Sequence, residues 1–346
     1  MKIALDALGG DFGAVPNIEG ALKAIKKLDL EVILVGDEAV LREELRKKGY
    51  ETLPKGLSIV HAPDTIDMGA EPAKECRQKK GASIVVCADL VHKKEADAFV
   101  SAGHSGAAMV AALFGIGRIK GVQRPAIATP MPTYKGVSLL LDGGANADCK
   151  PIHLLQFAVM GSAYMQKVFD IPAPSVGVLS IGEEETKGNM LVKHTVPHMR
   201  EIGVNFCGTI EGRDVNTGDT DVIVCDGFVG NIVLKTAEGL AKTMIRMIKR
   251  EVKKRPLALL GAFLARNAFR AVKDHTNPDI YGGAPLVGVN GVAIISHGKS
   301  NGLAIYNALK TAARLVEKDF VGDVAAKMAA LRPTFELLEK EIQQEN

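Results

Sequence analysis

The residues most suited to chemistry stand where apolar runs end in small polar residues. The stretch Ala98–Leu113 begins with an apolar run that predicts the end of a buried strand. Ser101–Gly103 predicts a turn, and His104-Ser105-Gly106 opens an alanine-rich segment that predicts a helix. A helix start has free backbone N–H groups and the positive end of a dipole. The stretch therefore predicts an anion site, with an ordinary cap on a core helix as the alternative.

The same arrangement returns several times along the chain. Short apolar runs alternate with longer amphipathic ones, which predicts βα units and a mostly parallel sheet. Ligands bind outside the carboxyl ends of the strands in such sheets. We therefore predict that the turns after these strands gather at one edge and form a common site. The turns are Gly9–Gly13, Ser101–Gly106, Asp142–Asn146, Ile181–Asn189, Asp226–Asn231 and His297–Asn301.

Length and composition narrow the class of protein. The chain has 346 residues, of which 47% are hydrophobic, so it can bury a large core, and we predict one α/β domain over residues 1–346. Five scattered cysteines without a C-x-x-C pair argue against a zinc site or a disulfide framework and favour a reducing cytosol. The sequence predicts neither a signal peptide nor a membrane-spanning segment.

Familiar cofactor and nucleophile motifs do not fit the sequence. Gly115–Gly121 misses the G-x-G-x-x-G spacing of dinucleotide sites, and Gly298-Lys299-Ser300 lacks the first glycine of a P-loop. Glu183–Glu185 could hold Mg²⁺ or do acid–base work, but three adjacent carboxylates alternate in direction and cannot all face one point, which favours a solvated charge for at least one of them. No nucleophile elbow is present. We predict no metal and no cofactor, in a chain rich in groups that hold an anion.

Positive charge is concentrated in one segment. The chain has a net charge of +3, yet Lys242–Lys273 has ten basic residues and one acidic residue, so the rest is net acidic. Pro256 predicts the start of a helix running to about Lys273, within an amphipathic segment at about 238–275. This pattern predicts contact with an anionic membrane or an acidic protein, with a core- or dimer-packing helix as the alternative. The predicted contact residues are Lys253, Lys254, Arg255, Leu257, Leu260, Phe263, Leu264, Arg266, Arg270 and Lys273.

Taken together and in order, these stretches resemble the bacterial phosphate acyltransferase family of phospholipid synthesis (PlsX), from Met1 to about Phe320. The family commonly has Asn-Thr at the positions of His104-Ser105 and a serine at the position of Lys299. The resemblance is carried by Asp6–Asp11, Ser101–Ala107, Arg124-Pro125-Ala126, Leu140–Asn146, Ile181–Asn189, Glu211–Asp214, Cys225–Asn231, Gly282–Leu286 and His297-Gly298.

The resemblance implies a three-layer α/β/α fold with a mostly parallel sheet, related to isopropylmalate dehydrogenase and phosphotransacetylase, in a homodimer. It implies transfer of a fatty acyl chain from acyl carrier protein to inorganic phosphate. The acyl phosphate would serve a glycerol-phosphate acyltransferase, on the way to phosphatidic acid. It also implies a cytoplasmic protein that associates peripherally with the membrane, and no nucleic-acid partner.

Phosphate is already anionic at neutral pH, so it needs to be held, partly desolvated and aimed at a thioester carbonyl. The phosphate-binding residues we predict are His104, Ser105, Gly106, Asn146 and Ser300. The catalytic residues we predict are Lys187, Asn189 and Asn231, which orient phosphate or stabilise the oxyanion, with Asp11 and Asp226 orienting the donors. Two alternatives stay open: a phosphotransacetylase-like enzyme that uses acyl-CoA, and a membrane-surface scaffold without activity.

Overall fold

Two sheets form the framework of the chain, whose computed structural model describes residues 1–67 and 69–344. The strands of the first sheet are β1 (Lys2–Asp6), β2 (Glu31–Gly36), β3 (Leu57–His61), β4 (Ala98–Ser101), β5 (Ala126–Ile127), β11 (Ala284–Val287) and β12 (Val292–Ile295). Their order is β3-β2-β1-β4-β12-β11-β5. Five of them are parallel, and β11 runs antiparallel to its neighbours β12 and β5.

The second sheet has five strands. They are β6 (Thr129–Thr133), β7 (Gly136–Leu141), β8 (Ser175–Leu179), β9 (Asn205–Ile210) and β10 (Val222–Val224). The order is β6-β7-β10-β8-β9, in which all neighbours are parallel except the edge strand β6.

The helices cover these sheets on both faces. They are α1 (Ala14–Lys27), α2 (Glu38–Lys47), α3 (Pro72–Gln78), α4 (Ser83–His92), α5 (Ser105–Ala111), α6 (Pro151–Phe169), α7 (Met190–Thr195), α8 (Gly227–Lys253), α9 (Pro256–Leu264), α10 (Arg266–His275), α11 (Gly302–Glu317), α12 (Phe320–Ala330) and α13 (Arg332–Gln344). A π-helical turn at Ala112–Ile116 extends α5, and short 3₁₀ turns lie at Val196–His198 and Pro278–Ile280.

The core confirms the predicted three layers. One cluster of buried side chains spans both sheets and includes Leu5, Leu141, Phe157 and Leu309, from β1, β7, α6 and α11. A second cluster fills the other face of the first sheet beneath α4 and α5, and a third lies on the other face of the second sheet, beneath the start of α8. Burial of this apolar surface is the main favourable contribution to folding.

The two sheets join through β5 and the corner after β7. The backbone N–H of Gly143 donates to the Ile127 carbonyl at 2.8 Å, and the Ile127 N–H donates to Asp142 Oδ1 at 3.0 Å. Because β11 is antiparallel to both β12 and β5, β5 runs toward the carboxyl edge of the first sheet, and Ile127 is its last residue. Asp142 follows the carboxyl end of β7. The carboxyl edges of both sheets therefore meet at this junction.

Several predicted helix bounds were wrong. The helix predicted from Pro256 to about Lys273 is broken at Ala265, whose N–H bonds to the carbonyls of Gly261 and Phe263 and closes the last turn of α9. The apolar spacing continues through this bend, so periodicity alone cannot locate it. The sequence after Val321 predicts one terminal helix to Gln344, but the structure has two, because Pro333 has no N–H with which to continue α12.

Candidate active site

Three corners of the first sheet meet at its carboxyl edge. They follow β1, β4 and β12. The backbone N–H of Asp11 donates to the carbonyl of Gly298 at 2.7 Å. A Cβ added to Gly10, which has a φ of 100°, would lie 3.1 Å from the Gly298 oxygen and 3.3 Å from the Ala102 oxygen. Small residues are therefore needed where these backbones approach each other. The predicted gathering of corners is confirmed for this sheet.

A buried carboxylate lies directly beneath these corners. Asp6 accepts hydrogen bonds from the Ser83 hydroxyl at 2.6 Å and the Ser101 hydroxyl at 2.7 Å. The Ser101 hydroxyl in turn accepts the N–H of Gly103 at 3.0 Å. Burial raises the pKa of Asp6, and the hydrogen bonds from its neighbours lower it. We did not predict Asp6 as a site residue, and its role is to hold the ends of β1, β4 and α4 together.

The start of α5 already has an internal acceptor. His104 Nδ1 accepts the backbone N–H of Gly106 at 3.0 Å and that of Ala107 at 3.3 Å. The imidazole therefore occupies the donors that the sequence predicted for phosphate, as a side-chain cap does. Ser105 is exposed beside it. An anion that uses the Gly106 N–H must displace the His104 ring.

The loop after β12 repeats this capping. His297 Nδ1 accepts the backbone N–H of Lys299 at 3.0 Å, and the Ser300 N–H donates to the His297 carbonyl at 2.8 Å. Ser300 is buried beside the exposed Lys299, whereas Asp11 on the facing corner is exposed. The structure thus brings Ser300 and Asp11 to the same edge as Ser105.

The corner after β7 is organised by Asp142. Its Oδ1 accepts the backbone N–H groups of Ile127, Gly144 and Ala145 at 3.0 to 3.1 Å, and its Oδ2 accepts the backbone N–H of Asn146 at 2.7 Å. Asp142 is fully buried, and burial raises its pKa while these N–H donors lower it. The sequence signal was an acidic residue directly before Gly143, at the end of a buried strand.

Asn146 is held by this corner and does not point its amide outward. Its Nδ2 donates to the Pro125 carbonyl at 2.7 Å and to Asp142 Oδ2 at 2.8 Å. Both amide hydrogens are therefore engaged inside the protein. In this conformation Asn146 fixes the turn, whereas we predicted it as a direct phosphate donor.

The start of α8 packs against the same corner. Asp226 caps the helix by accepting the Val229 N–H at 2.8 Å, and the Gly227 N–H donates to the Asn146 carbonyl at 2.7 Å. A Cβ added to Gly144, which has a φ of 129°, would lie 3.4 Å from Asn231 Cβ. Asn231 is exposed, one turn into the helix. The structure thus brings Asn146, Asp226 and Asn231 together as predicted.

The loop after β8 carries Lys187 and Asn189. Glu183 pairs with Arg213 at 3.1 Å and Glu185 with Arg200 at 3.0 Å, so the acidic run diverges into solvated ion pairs, as we expected. Asn189 Oδ1 caps α7 by accepting the Val192 N–H at 3.0 Å. Lys187 is exposed. Because β8 neighbours β10, this loop emerges next to the Asp226 corner.

The predicted basic segment forms an exposed arm, which we define as residues 238–275 of α8, α9 and α10. No side chain of α9 or α10 is buried, and Leu257 is 85% exposed. The Arg266 guanidinium stacks on the Phe263 ring, 4.9 Å from its centre. Glu251 is shared between Arg250, Lys254 and Arg255. Within residues 1–67 and 69–344, no helix combines the length and apolar character needed to cross a membrane.

Comparison of the sequence with known proteins identifies the family of the chain. A family described as fatty acid synthesis protein matches residues 1–322. The phosphate acyltransferase of Elusimicrobium minutum is 62% identical over 339 residues, covering 98% of this chain and 99% of that protein. The phosphate acyltransferase of Pelotomaculum thermopropionicum is 50% identical over 331 residues, covering 96% of both chains.

Solved structures show the same fold. A phosphotransacetylase from Streptococcus pyogenes aligns with a TM-score of 0.62 at 19% identity, covering 92% of this chain and 94% of that one. The EutD phosphotransacetylase from Staphylococcus aureus aligns with a TM-score of 0.61 at 18% identity, covering 91% and 94%. These structures support the three-layer fold. From the sequence matches, the chain belongs to the family described as fatty acid synthesis protein and is an acyltransferase.

Proposed function

We propose that this protein is a phosphate acyltransferase that moves a fatty acyl chain from acyl carrier protein to inorganic phosphate. The observation that carries the proposal is the presence of glycine-bearing corners at the carboxyl edges of two sheets, which hydrogen bonds of Ile127 to Asp142 and Gly143 join. Its curated relatives bear the name of this activity. Helix starts and polar side chains suited to a tetrahedral anion lie at both places: α8 with Asn231 beside the Asp142 corner, and α5 with Ser105 at the edge of the first sheet.

The reaction needs little more than positioning and charge stabilisation. An oxygen of hydrogenphosphate attacks the thioester carbonyl, the new C–O bond forms, and the C–S bond breaks. The proton of hydrogenphosphate passes to the leaving thiolate, so acyl phosphate and a free thiol are formed. Donors directed at the developing oxyanion lower the barrier in such acyl transfers.

The geometry divides the predicted residues into two roles. Ser105, Lys187 and Asn231 are exposed at the edge and would contact phosphate or the oxyanion. The side chains of His104, Asn146, Asn189 and Asp226 accept or donate hydrogen bonds within their own turns. These four would position the site, with Gly106 offering its N–H once His104 has moved. Ser300 and Asp11 would be the remaining site residues at the edge of the first sheet.

The exposed arm would bring the enzyme to its partners. Its surplus of positive charge favours an anionic membrane surface and the acidic carrier protein. Its uncovered apolar residues also fit packing between two copies in a homodimer. A product made there would reach a membrane-bound glycerol-phosphate acyltransferase without crossing bulk water.

The test measures thiol release and acyl phosphate formation with acyl carrier protein and with coenzyme A as acyl carriers. We expect phosphate-dependent turnover with the carrier-protein thioester, and the double variant Ser105→Ala, Lys187→Ala should cut it at least 100-fold. Lys193→Ala, on the exposed surface of α7, is the matched control.

Three outcomes would contradict the proposal in different ways. Near-normal turnover of the double variant would remove these two residues from the site. Faster turnover of acyl-CoA would favour the phosphotransacetylase alternative. Absence of any phosphate-dependent thioester loss would favour the scaffold alternative.

A further inference from the structure

A cluster of potential metal ligands lies at the other edge of the second sheet, away from the candidate active site. His198, Glu201 and Glu341 each offer one ligand atom, and the three atoms lie within 4.8 Å of one another. The 3₁₀ turn that ends at His198 extends α7, and the chain then leads into the amino end of β9. Glu341 comes from α13, 140 positions later in the sequence than Glu201.

Local and tertiary contacts fix the cluster. The Glu201 N–H donates to the His198 carbonyl at 3.1 Å, a turn that puts the two side chains on one side. The buried Leu338 and Ile342 hold α13 against the protein, which presents Glu341 from the same helix. Gln123 donates to both oxygens of Glu339, two residues before Glu341 in the same helix. The ligands are thus carried by regular elements on both sides.

The charges of this cluster are not balanced by basic side chains. Several other acidic residues on the described surface pair with lysine or arginine, as Glu336 does with Arg332 at 2.7 Å. Within residues 1–67 and 69–344, Glu201 pairs with His198, and neither Glu201 nor Glu341 lies within 4 Å of a lysine or arginine nitrogen. Two carboxylates held this close favour a bound cation.

The spacing suits a transition metal. His198 is nine-tenths buried, and its Nδ1 lies 3.0 Å from Glu201 Oε1. Zinc binds nitrogen and oxygen at about 2.0–2.1 Å, so neighbouring ligand atoms of a tetrahedral site lie about 3.3 Å apart. The hydrogen-bond separation is therefore close to the separation that a shared ion requires. An imidazole with two carboxylates suits Zn²⁺ better than Mg²⁺, which prefers oxygen and water ligands.

We propose that His198, Glu201 and Glu341 bind a divalent transition cation of the Zn²⁺ class, with water completing the coordination. The ion links α13 to the end of α7 and stabilises the attachment of the C-terminal helix. The sequence predicted no metal because these residues come close only in the fold. The site is independent of the proposed phosphate chemistry.

The test is a Zn²⁺ titration of the full chain by isothermal calorimetry after chelator treatment. The background carries Cys207→Ser, because Cys207 is an exposed thiol that can bind zinc by itself. We expect one saturable site, and at least tenfold weaker binding in His198→Gln and in Glu341→Gln. Glu336→Gln on the same helix is the matched control and should bind as the background does.

A second readout separates loss of the site from loss of the fold. Zn²⁺ should raise the melting temperature of the background and of Glu336→Gln, but not of the two ligand variants, whose circular dichroism should be unchanged. Equal binding by the ligand variants, which means an adventitious ion only, would overturn the proposal. So would no saturable binding up to millimolar Zn²⁺, or equally tight binding of Mg²⁺.

Discussion

Replacing Asp142 with asparagine removes the acceptor around which the second-sheet corner is built. In the wild type, Oδ2 accepts both the backbone N–H and the amide Nδ2 of Asn146, at 2.7 and 2.8 Å. An asparagine oxygen can serve the three N–H groups on the Oδ1 side. Its NH₂ group then faces two donors, and both lose their acceptor in a fully buried place.

The expected loss of stability follows from those two donors. A buried donor left without a partner costs about 1–3 kcal/mol. The remaining hydrogen bonds to residue 142 also become weaker, because their acceptor no longer carries a negative charge. The amide is easier to bury than a carboxylate, which offsets part of this. We expect Asp142→Asn to lower the free energy of unfolding by about 3–5 kcal/mol. With about 2.1 cal/mol/K per residue of unfolding entropy, the melting temperature should fall by about 4–7 °C.

The assay compares thermal unfolding and phosphate kinetics of Asp142→Asn with those of Asp148→Asn. Asp148 is exposed six positions away, so the same chemical change there should leave both unaffected. The kcat/KM for phosphate should fall about tenfold or more in Asp142→Asn, because the Asn146 turn supports the start of α8. A melting temperature within 1 °C of the control would refute the reasoning.

Two further predictions concern pH and the arm. Burial, with the charges of Arg124 and Lys150, lowers the pKa of His153 to about 4, and its Nδ1 accepts the Lys150 N–H at 3.0 Å. Because the pKa of His153 is lower in the folded chain than in the unfolded chain, its contribution to stability is complete above pH 6.5 and is lost as the pH falls to about 4. Urea unfolding should therefore show the wild type losing up to about 3 kcal/mol more than His153→Gln between pH 7 and pH 4; parallel losses would contradict this. Replacing the cations of α10 by glutamate, in the triple variant Arg266→Glu, Arg270→Glu, Lys273→Glu, should abolish co-sedimentation with anionic vesicles, and unchanged sedimentation would count against a membrane role for the arm.

Strands with continuous apolar runs could be predicted closely. The apolar runs Lys2–Asp6, Ala98–Val100 and Val137–Leu141 predict strands, and β1, β4 and β7 lie within one residue of these bounds. The segment Pro151–Phe169, with a proline at its start, predicts a helix, and α6 has these bounds. Their local sequence and their buried environment favour the same structure. Elements of this kind need no knowledge of the rest of the chain.

The missed strands lack such a local signal. β6 contains Pro130 and Pro132, which a strand tolerates because β6 lies at a sheet edge. β9 is the other edge of that sheet and has a bulge beside Val176-Gly177. β5 has two residues, and β11 carries Pro285. Only their partners in the folded sheet make these segments strands.

The sequence predicted which polar residues lie in the turns of the candidate site, but it did not predict their hydrogen-bond partners. A polar residue at a helix start can bind a ligand or satisfy the backbone beside it, and the sequence pattern is the same for both. His104, Asn189 and Asp226 turned out to cap their own helices. Asp6 and Asp142 were missed because a buried acceptor is recognised by its distant donors, such as Ser83 and Ile127.

The close contacts at the second-sheet corner explain why glycine is needed there and what that implies for binding. A Cβ on Gly227 would lie 2.7 Å from the Asn146 carbonyl oxygen, and a Cβ on Gly230 would lie 2.0 Å from the backbone carbonyl oxygen of Asp142. The first turn of α8 can therefore approach the corner only as bare backbone. A ligand bound beside this contact would meet the few exposed side chains there, such as Asn231, whose positions the two backbones set. Binding of this kind depends more on the position of the two backbones than on any one side chain. The buried Asp142, which holds that position, should for this reason matter as much to an anion as a residue that touches it.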